Sequence, residues 1–301
     1  MSDTIKAVEQ AFLDYYEGKG IMPAKSYLLV NKGDFRAMPA ALPGAAGVKW
    51  VNVHPQNRAR SLPTIMALFI YNDPETGYPL AVMDATEMTA FRTGAAAAIA
   101  AKYLARPDSH TLGIVGAGRQ AYTQIAAHTE LFKIDLIKVF DIMPAAVEGI
   151  IKSFPQFKIK QYPLEEVVTA DIVCTLTPAR LPVVKKSWIR PGTHINAIGA
   201  DAEGKEELEP SILKESMVVV DDLRQATAGG EINVPIARGL YSPSEIYATL
   251  GEIIGGKKSG REDTRTITIF DSTGVAIEDI AIAKYIYEKA KKGNYPSVEM
   301  V

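Results

Sequence analysis

Apolar residues recur at helical spacing in the opening segment, where Ile5, Val8, Phe12 and Tyr16 share one face and predict an amphipathic helix ending near Gly18–Gly20. From there the period shortens. Ser26–Val30, Phe35–Ala37, Gly47–Val53 and Thr64–Tyr71 read as strands, and the turn residues of Asn72–Gly77 predict an antiparallel hairpin into Pro79–Asp84. Consecutive strands joined by short turns are not βαβ units, so this region predicts a separate α+β layer. An alanine-crowded helix, Thr89–Leu104, is expected to link this layer to the C-terminal part of the chain. Beyond Pro107 strands and helices alternate. Leu112–Val115, Asp135–Phe140, Asp171–Leu176, His194–Ile198, Met217–Val220 and Thr266–Phe270 are the expected strands of one parallel sheet, and Val275–Lys291 predicts a helix returning to the first layer. The expected fold class is α/β: a Rossmann-type doubly wound parallel sheet over residues 108–272, with a second, discontinuous α+β domain formed by residues 1–107 plus 273–301.

Residues 111–141, TLGIVGAGRQAYTQIAAHTELFKIDLIKVFD, combine a strand, a glycine turn, a helix, a second strand and a terminal acid. Gly116 permits the tight turn, Gly118 clears the approach of a pyrophosphate, and Ala121 takes the small position where helix packs on strand. The helix start offers unpaired N–H groups to phosphate. Arg119 and Gln120 are expected to lie over the pyrophosphate. Asp141 follows Gly118 by 23 residues, where a carboxylate can accept from both adenosine ribose hydroxyls. Ile142 and Met143 come next, with no arginine to receive a 2′-phosphate, so NAD is the expected cofactor rather than NADP.

A chain of 301 residues, 47% hydrophobic with a net charge of −2, suits a two-domain enzyme. It carries no basic run suited to nucleic acid, no apolar run long enough to span a bilayer, and no leader pattern in its opening residues. A cytoplasmic location and no membrane partner are expected. The single cysteine, Cys174, reads as a small buried residue in a strand, and no metal cluster is expected. His54, before Pro55, reads as a hydrogen-bonded structural histidine.

Four colinear segments carry a resemblance: GVKWVNVHPQN (47–57), LPTIMALFIYNDPETGYPLAVMDATEMTAFRTGAAAA (62–98), HINAIGADAEGKEEL (194–208) and TIFDSTGVAIEDIA (268–281). Together they resemble the ornithine cyclodeaminase/μ-crystallin family, and within it the archaeal-type alanine dehydrogenase branch. The resemblance implies that Lys49, Arg92 and Asp201 meet at the nicotinamide, and that the α+β domain binds substrate and forms a homodimer. It also implies a short element before the first helix that this chain does not show, which bears on how the dimer pairs.

The residues themselves suit these roles. Lys49 on an apolar strand is partly desolvated, which lowers an amine pKa and makes it a proton donor near neutrality. Arg92, expected at a helix start, has a planar fork suited to a substrate carboxylate or a cofactor phosphate. Asp201 follows a strand at its carboxyl end, where open α/β sheets place ligands. By spacing alone each has a plainer explanation: a solvated lysine, a surface ion pair, a turn cap. Gly199, Ala200, Ser272 and Thr273 are expected to edge the nicotinamide ribose, and Thr175 is a further expected cofactor contact.

Two positions bear on substrate. Lys25 stands 24 residues before Lys49, where the resemblance implies a substrate-carboxylate arginine in cyclodeaminases. Arg36 stands 13 before Lys49, where it implies a glutamate. Ornithine brings a second ammonium, which an arginine would repel, whereas Arg36 assisted by Lys25 would fix a short 2-oxo acid. The expected activity is an NAD-dependent amino-acid dehydrogenase, oxidising L-alanine to pyruvate and ammonia, with Lys49 and Asp201 as proton-transfer groups. Open alternatives are a cyclodeaminase making proline from ornithine, a ketimine or imine reductase, and a dinucleotide-dependent binding protein.

Overall fold

The computed structural model describes residues 1–293 and 295–296, with Arg58 described by its backbone only; residues 294 and 297–301 of the expected 273–301 segment lie outside the described residues. Five strands form an antiparallel meander in the order β1 (Ser26–Val30), β2 (Gly33–Leu42), β3 (Ala45–Val53), β4 (Ile65–Asn72), β5 (Pro79–Asp84). The alternation of β4 shows why this sheet is one-sided: Ala67, Phe69 and Tyr71 are buried, while Met66, Leu68 and Ile70 face outward. Its inner face rests on α10 (Ala276–Ala290), which also packs on α1 (Ser2–Tyr16) and α2 (Thr86–Leu104). Phe12, Phe69, Ile99, Ile277 and Ile280 share this core.

The second sheet is entirely parallel. Its strands are β6 (Thr111–Val115), β7 (Leu136–Phe140), β8 (Ile159–Gln161), β9 (Ile172–Thr175), β10 (His194–Ala197), β11 (Ser216–Val220), β12 (Ala248–Thr249) and β13 (Ile267–Asp271), in the spatial order β12-β11-β13-β10-β9-β6-β7-β8. Helices α3 (Arg119–Leu131), α4 (Pro144–Ser153), α5 (Leu164–Val167), α6 (Pro210–Lys214), α7 (Leu223–Gly229), α8 (Asn233–Ala237) and α9 (Leu250–Ile254) come from its connections. With both faces covered, β9, β10 and β13 are buried at every position, as a two-faced core demands. The chain reverses direction across the sheet between β6 and β9, which creates a crevice at their carboxyl ends. After β10 it builds β11 and β12 outside and returns to insert β13 beside β10.

Three expectations about the elements change. β8 and β12 were not expected, being only three and two residues long. β2 runs over Gly33–Leu42 instead of Phe35–Ala37. It accommodates Pro39 because β1 pairs only as far as Ala37, leaving the far end of that edge with a single bridge from Ile21 to Ala41. The α2 helix starts at Thr86 rather than Thr89, its first turn fixed by Asp84 Oδ1 accepting from Thr86 N at 2.8 Å. Arg92 therefore lies inside the helix and not at its start.

Candidate active site

The nucleotide end is built from local sequence. Gly116 turns out of β6 at φ +100, a conformation L side chains rarely adopt, and its N–H donates to Phe140 O at 2.8 Å. Gly118 caps α3, and a Cβ there would meet nothing within 4 Å, so the helix start faces open space. Asp141 is held by both oxygens: Oδ2 accepts from Ala117 N at 2.6 Å and Oδ1 from Met143 N at 2.8 Å. Ile142 and Met143 are exposed beside it. Gln120 Oε1 and Ser272 Oγ are buried without a partner among the described residues. An open glycine cradle at a helix N-terminus, a fixed acid and unpartnered polar atoms fit a dinucleotide.

Arg119 departs from its expected place, its guanidinium pairing with Glu87 on the first turn of α2. Thr175 also differs: its hydroxyl donates to Glu207 Oε2 at 2.7 Å. Glu207 accepts from Thr177 N and Gly199 N as well, so this buried acid braces the ends of β9 and β10. Beside them the insertion of β13 brings Ser272 N onto Ala197 O at 3.0 Å. Gly199, Ala200, Asp201, Ser272 and Thr273 are thus gathered at the crevice edge. Asp221 accepts from Thr273 N at 2.6 Å and Gly274 N at 2.9 Å, fixing that turn.

Lys49 points from β3 into the interior and is 1% exposed. Its ammonium lies 2.7 Å from Asp279 Oδ2 on α10. Burial, and then the neighbouring Arg92, push its pKa down to about 7 against the pull of Asp279. Arg92 is itself buried, with Nε donating to Asp279 Oδ1 at 3.0 Å and Nη1 to Glu278 Oε2 at 2.7 Å. Two of its five N–H groups are thus engaged by protein carboxylates beside Lys49, which leaves the rest of the fork compatible with the expected ligand contact.

Arg36 is likewise engaged. Its Nε donates to Asp34 Oδ1 at 2.7 Å and Nη1 to Asp201 Oδ2 at 2.9 Å, while the guanidinium lies 5.4 Å from the centre of the Tyr27 ring. Burial opposes its charge, but Asp201 and Asp34 outweigh that and hold it protonated. A substrate carboxylate could be taken at Nη2, which reaches only Asp34 Oδ2 at 3.4 Å, or by sharing Nη1 with Asp201. Lys25 donates to Thr273 O at 2.7 Å, and burial, opposed by Asp221, brings its pKa down to about 8. Asp201 is paired on both sides. Burial favours its neutral form, yet Lys205 and Arg36 outweigh it and hold the carboxyl below the usual range.

Sequence reasoning missed Asp34, Lys205, Glu207, Asp221, Glu278 and Asp279. The visible signal for two of them was a pair of adjacent acids, Glu278 and Asp279, in the otherwise apolar run VAIEDIAIA; acids on a buried helix face need cationic partners. The structural roles expected for His54 and Cys174 agree with their surroundings. His54 Nδ1 lies 3.0 Å from Asn52 Nδ2, and Cys174 is fully buried, its thiol pKa pushed up to about 12.

Known proteins share this architecture and sequence. The sequence model of the ornithine cyclodeaminase/mu-crystallin family matches residues 1–294. Alanine dehydrogenase of Archaeoglobus fulgidus is 52% identical over 299 residues, covering 99% of this chain and 93% of the relative. A solved archaeal alanine dehydrogenase dimer with bound NAD superimposes with a TM-score of 0.98 at 51% identity, covering 100% of this chain and 95% of that one. The structure of Thermococcus litoralis Δ1-pyrroline-2-carboxylate reductase with NADH and L-proline gives a TM-score of 0.93 at 41% identity, covering 96% and 93%. This chain belongs to the ornithine cyclodeaminase/mu-crystallin family.

Proposed function

We propose that this chain catalyses the reversible, NAD-dependent oxidative deamination of L-alanine: alanine, NAD⁺ and water give pyruvate, ammonium, NADH and a proton. The observation that carries it is the 52% identity to the Archaeoglobus fulgidus alanine dehydrogenase across 99% of this chain. The geometry around Arg36 agrees. Asp34 and Asp201, the carboxylates nearest it, are charge-paired with that guanidinium, and Asp201 with Lys205 as well, so they offer no unbalanced negative charge to the second ammonium of ornithine.

When bound, NAD would supply the acceptor for the Cα hydride, and NADH its donor in the reverse direction. Gly116, Gly118 and the α3 N-terminus hold the pyrophosphate, and Asp141 the adenosine ribose. Arg36, with Lys25, receives the substrate carboxylate and fixes Cα in one orientation. Lys49 is placed to exchange the proton at the substrate oxygen: its ammonium polarises a carbonyl in the aminating direction, and its free amine accepts a proton in the deaminating direction. We place the protein in the cytoplasm; no helix among the described residues is long and apolar enough to cross a membrane. It acts as a homodimer through the outer face of the antiparallel sheet, where Trp50, Leu68, Ile70 and Val82 lie exposed.

The test follows absorbance at 340 nm with NADH, ammonium and pyruvate. Oxidation of NADH that requires both pyruvate and ammonium supports this function. A second activity, reduction of Δ1-pyrroline-2-carboxylate to proline, is favoured by the similarity to the Thermococcus litoralis enzyme; NADH oxidation by that cyclic imine without ammonium would identify it. Proline formation from L-ornithine without net NADH change would replace both with cyclodeamination.

A further inference from the structure

Asp201 is held at both carboxylate oxygens. Oδ2 faces Arg36 Nη1 at 2.9 Å, and Oδ1 takes the ammonium of Lys205. The second cation arrives through a pinned turn. Gly204 stands at φ +76, which brings the chain back toward Asp201. Gly204 N donates to Asn233 Oδ1 at 2.9 Å, and Asn233 Nδ2 donates to Lys205 O at 3.0 Å. The Lys205 ammonium also lies 3.4 Å from Gly199 O, and its side chain is 16% exposed. This is a partly buried ion pair on a braced loop, unlike a surface lysine free to reorient.

We propose that Lys205 is a positioning residue that locks Asp201 as a permanent carboxylate, so that Asp201 orients the reacting nitrogen or water as a hydrogen-bond acceptor while Lys49 carries the exchanged proton. The catalytic part of this division rests on the deaminating reaction proposed above.

The groups facing Asp201 support the assignment. From β2 come Arg36 and, behind it, Asp34; from β1 the Tyr27 ring packs on the same guanidinium; Lys25 acts from the segment before β1. On the loop side stand Lys205 and Arg180, whose Nη1 would lie 2.8 Å from a Cβ at Gly204. Among the described residues, only the Lys205 side chain reaches Oδ1. A proton carrier works best with a pKa close to the working pH. Asp201 lies well below that and Lys49, at about 7, lies on it. Removing Lys205 takes away a cation and moves the Asp201 titration upward, by about one to three pH units for an opposite charge at contact.

The experiment uses the full-length chain with Lys205→Met and Lys205→Arg. The ¹³C carboxyl shift of Asp201, assigned by its loss in Asp201→Asn, is titrated alongside the pH profile of kcat/KM for alanine oxidation. Wild-type Asp201 is expected to stay ionised down to about pH 4, with Lys205→Met titrating at least about one unit higher. Below the limb that Lys49 sets at about pH 7, the kcat/KM profile of Lys205→Met should fall more steeply, through a second acid step, while NADH affinity, read by fluorescence, holds; Lys205→Arg should restore the wild-type profile and carboxyl titration. Superimposable carboxyl titrations in wild type and Lys205→Met overturn the proposal. So does an equal loss of activity at every pH with the carboxyl titration unmoved. If the wild type does not oxidise alanine but its carboxyl titration still shifts in Lys205→Met, the lock stands and the proposed reaction fails.

Discussion

Lys49 and Asp279 stand 2.7 Å apart in the interior, joining the middle of β3 to the first turn of α10. Arg92 shares the same carboxylate and adds Glu278, so two cations and two anions neutralise one another where water is excluded. Asp279 by itself favours the charged ammonium of Lys49. Burial, and after it the Arg92 charge, lower the Lys49 pKa to about 7 instead.

The proton function of Lys49 is therefore testable by pH. In the deaminating direction the free amine is required, so kcat/KM with alanine should rise as pH passes upward through about 7. Lys49→Met should lower turnover by about 100-fold or more and abolish that limb. NADH affinity should survive, as measured by fluorescence titration. A variant with near-normal rates would show that another group moves the proton.

Arg92 should matter for stability. Arg92→Met leaves Glu278 and Asp279 buried with Lys49 as their remaining cation, and breaking such a network costs about 3–5 kcal/mol. Arg92→Lys should recover only part of this, because one ammonium cannot reproduce the two-point fork. Urea unfolding midpoints of the three proteins provide the measurement.

Two buried histidines should stay neutral through mild acid. Burial pushes the pKa of His128 down to about 4 and that of His194 to about 3. Hydrogen bonding assigns opposite tautomers: His128 Nδ1–H donates to Gln124 O, and His194 Nε2–H to Asn196 Oδ1. ¹⁵N shifts should show both rings neutral from pH 8 down to about 5, with those two tautomers. Each pKa lies below its unfolded value, so the unfolded state binds more protons between about 4 and 6.5; their stabilisation is present above that window and lost as pH falls through it. An imidazole titrating near 6.5 would mean that ring is not enclosed as described.

Cofactor choice should rest on Asp141. Asp141→Ser combined with Ile142→Arg removes the repelling charge and supplies a 2′-phosphate partner, and should move the NADPH/NADH affinity ratio by about tenfold or more. The serine keeps a polar group near Ala117 N and Met143 N, which Asp141 now satisfies. Equilibrium titration of both reduced cofactors measures the ratio. An unchanged ratio would move the selectivity elsewhere.

Dimerisation should fail when the outer sheet face is charged. Leu68 is 52% exposed and lies opposite Trp50 in the β3–β4 register. Leu68→Glu should convert a dimer into monomers at micromolar concentration, read by sedimentation, because an unpaired charge would be buried between copies. A wild-type protein that sediments as a monomer would remove this interface altogether.

The sequence by itself determined whatever depends on neighbours within a turn or two. The Gly116–Gly118 turn, the helix behind it and the acid ending β7 follow from local sterics and hydrogen bonding, and the change of hydrophobic period near Pro107 separates the antiparallel layer from the parallel sheet. Lys49 and Asp201 stood out through motifs, but their ion-pair partners did not. Only the tertiary structure inserted β13 beside β10, setting Thr273 against Asp221 and Lys25. It alone gave Arg36 to Asp34 and Asp201, and Arg92 to Glu278 and Asp279. The reason is physical: an ionisable group's charge state depends on burial and on partners a few ångströms away, and here most of those partners come from distant parts of the chain.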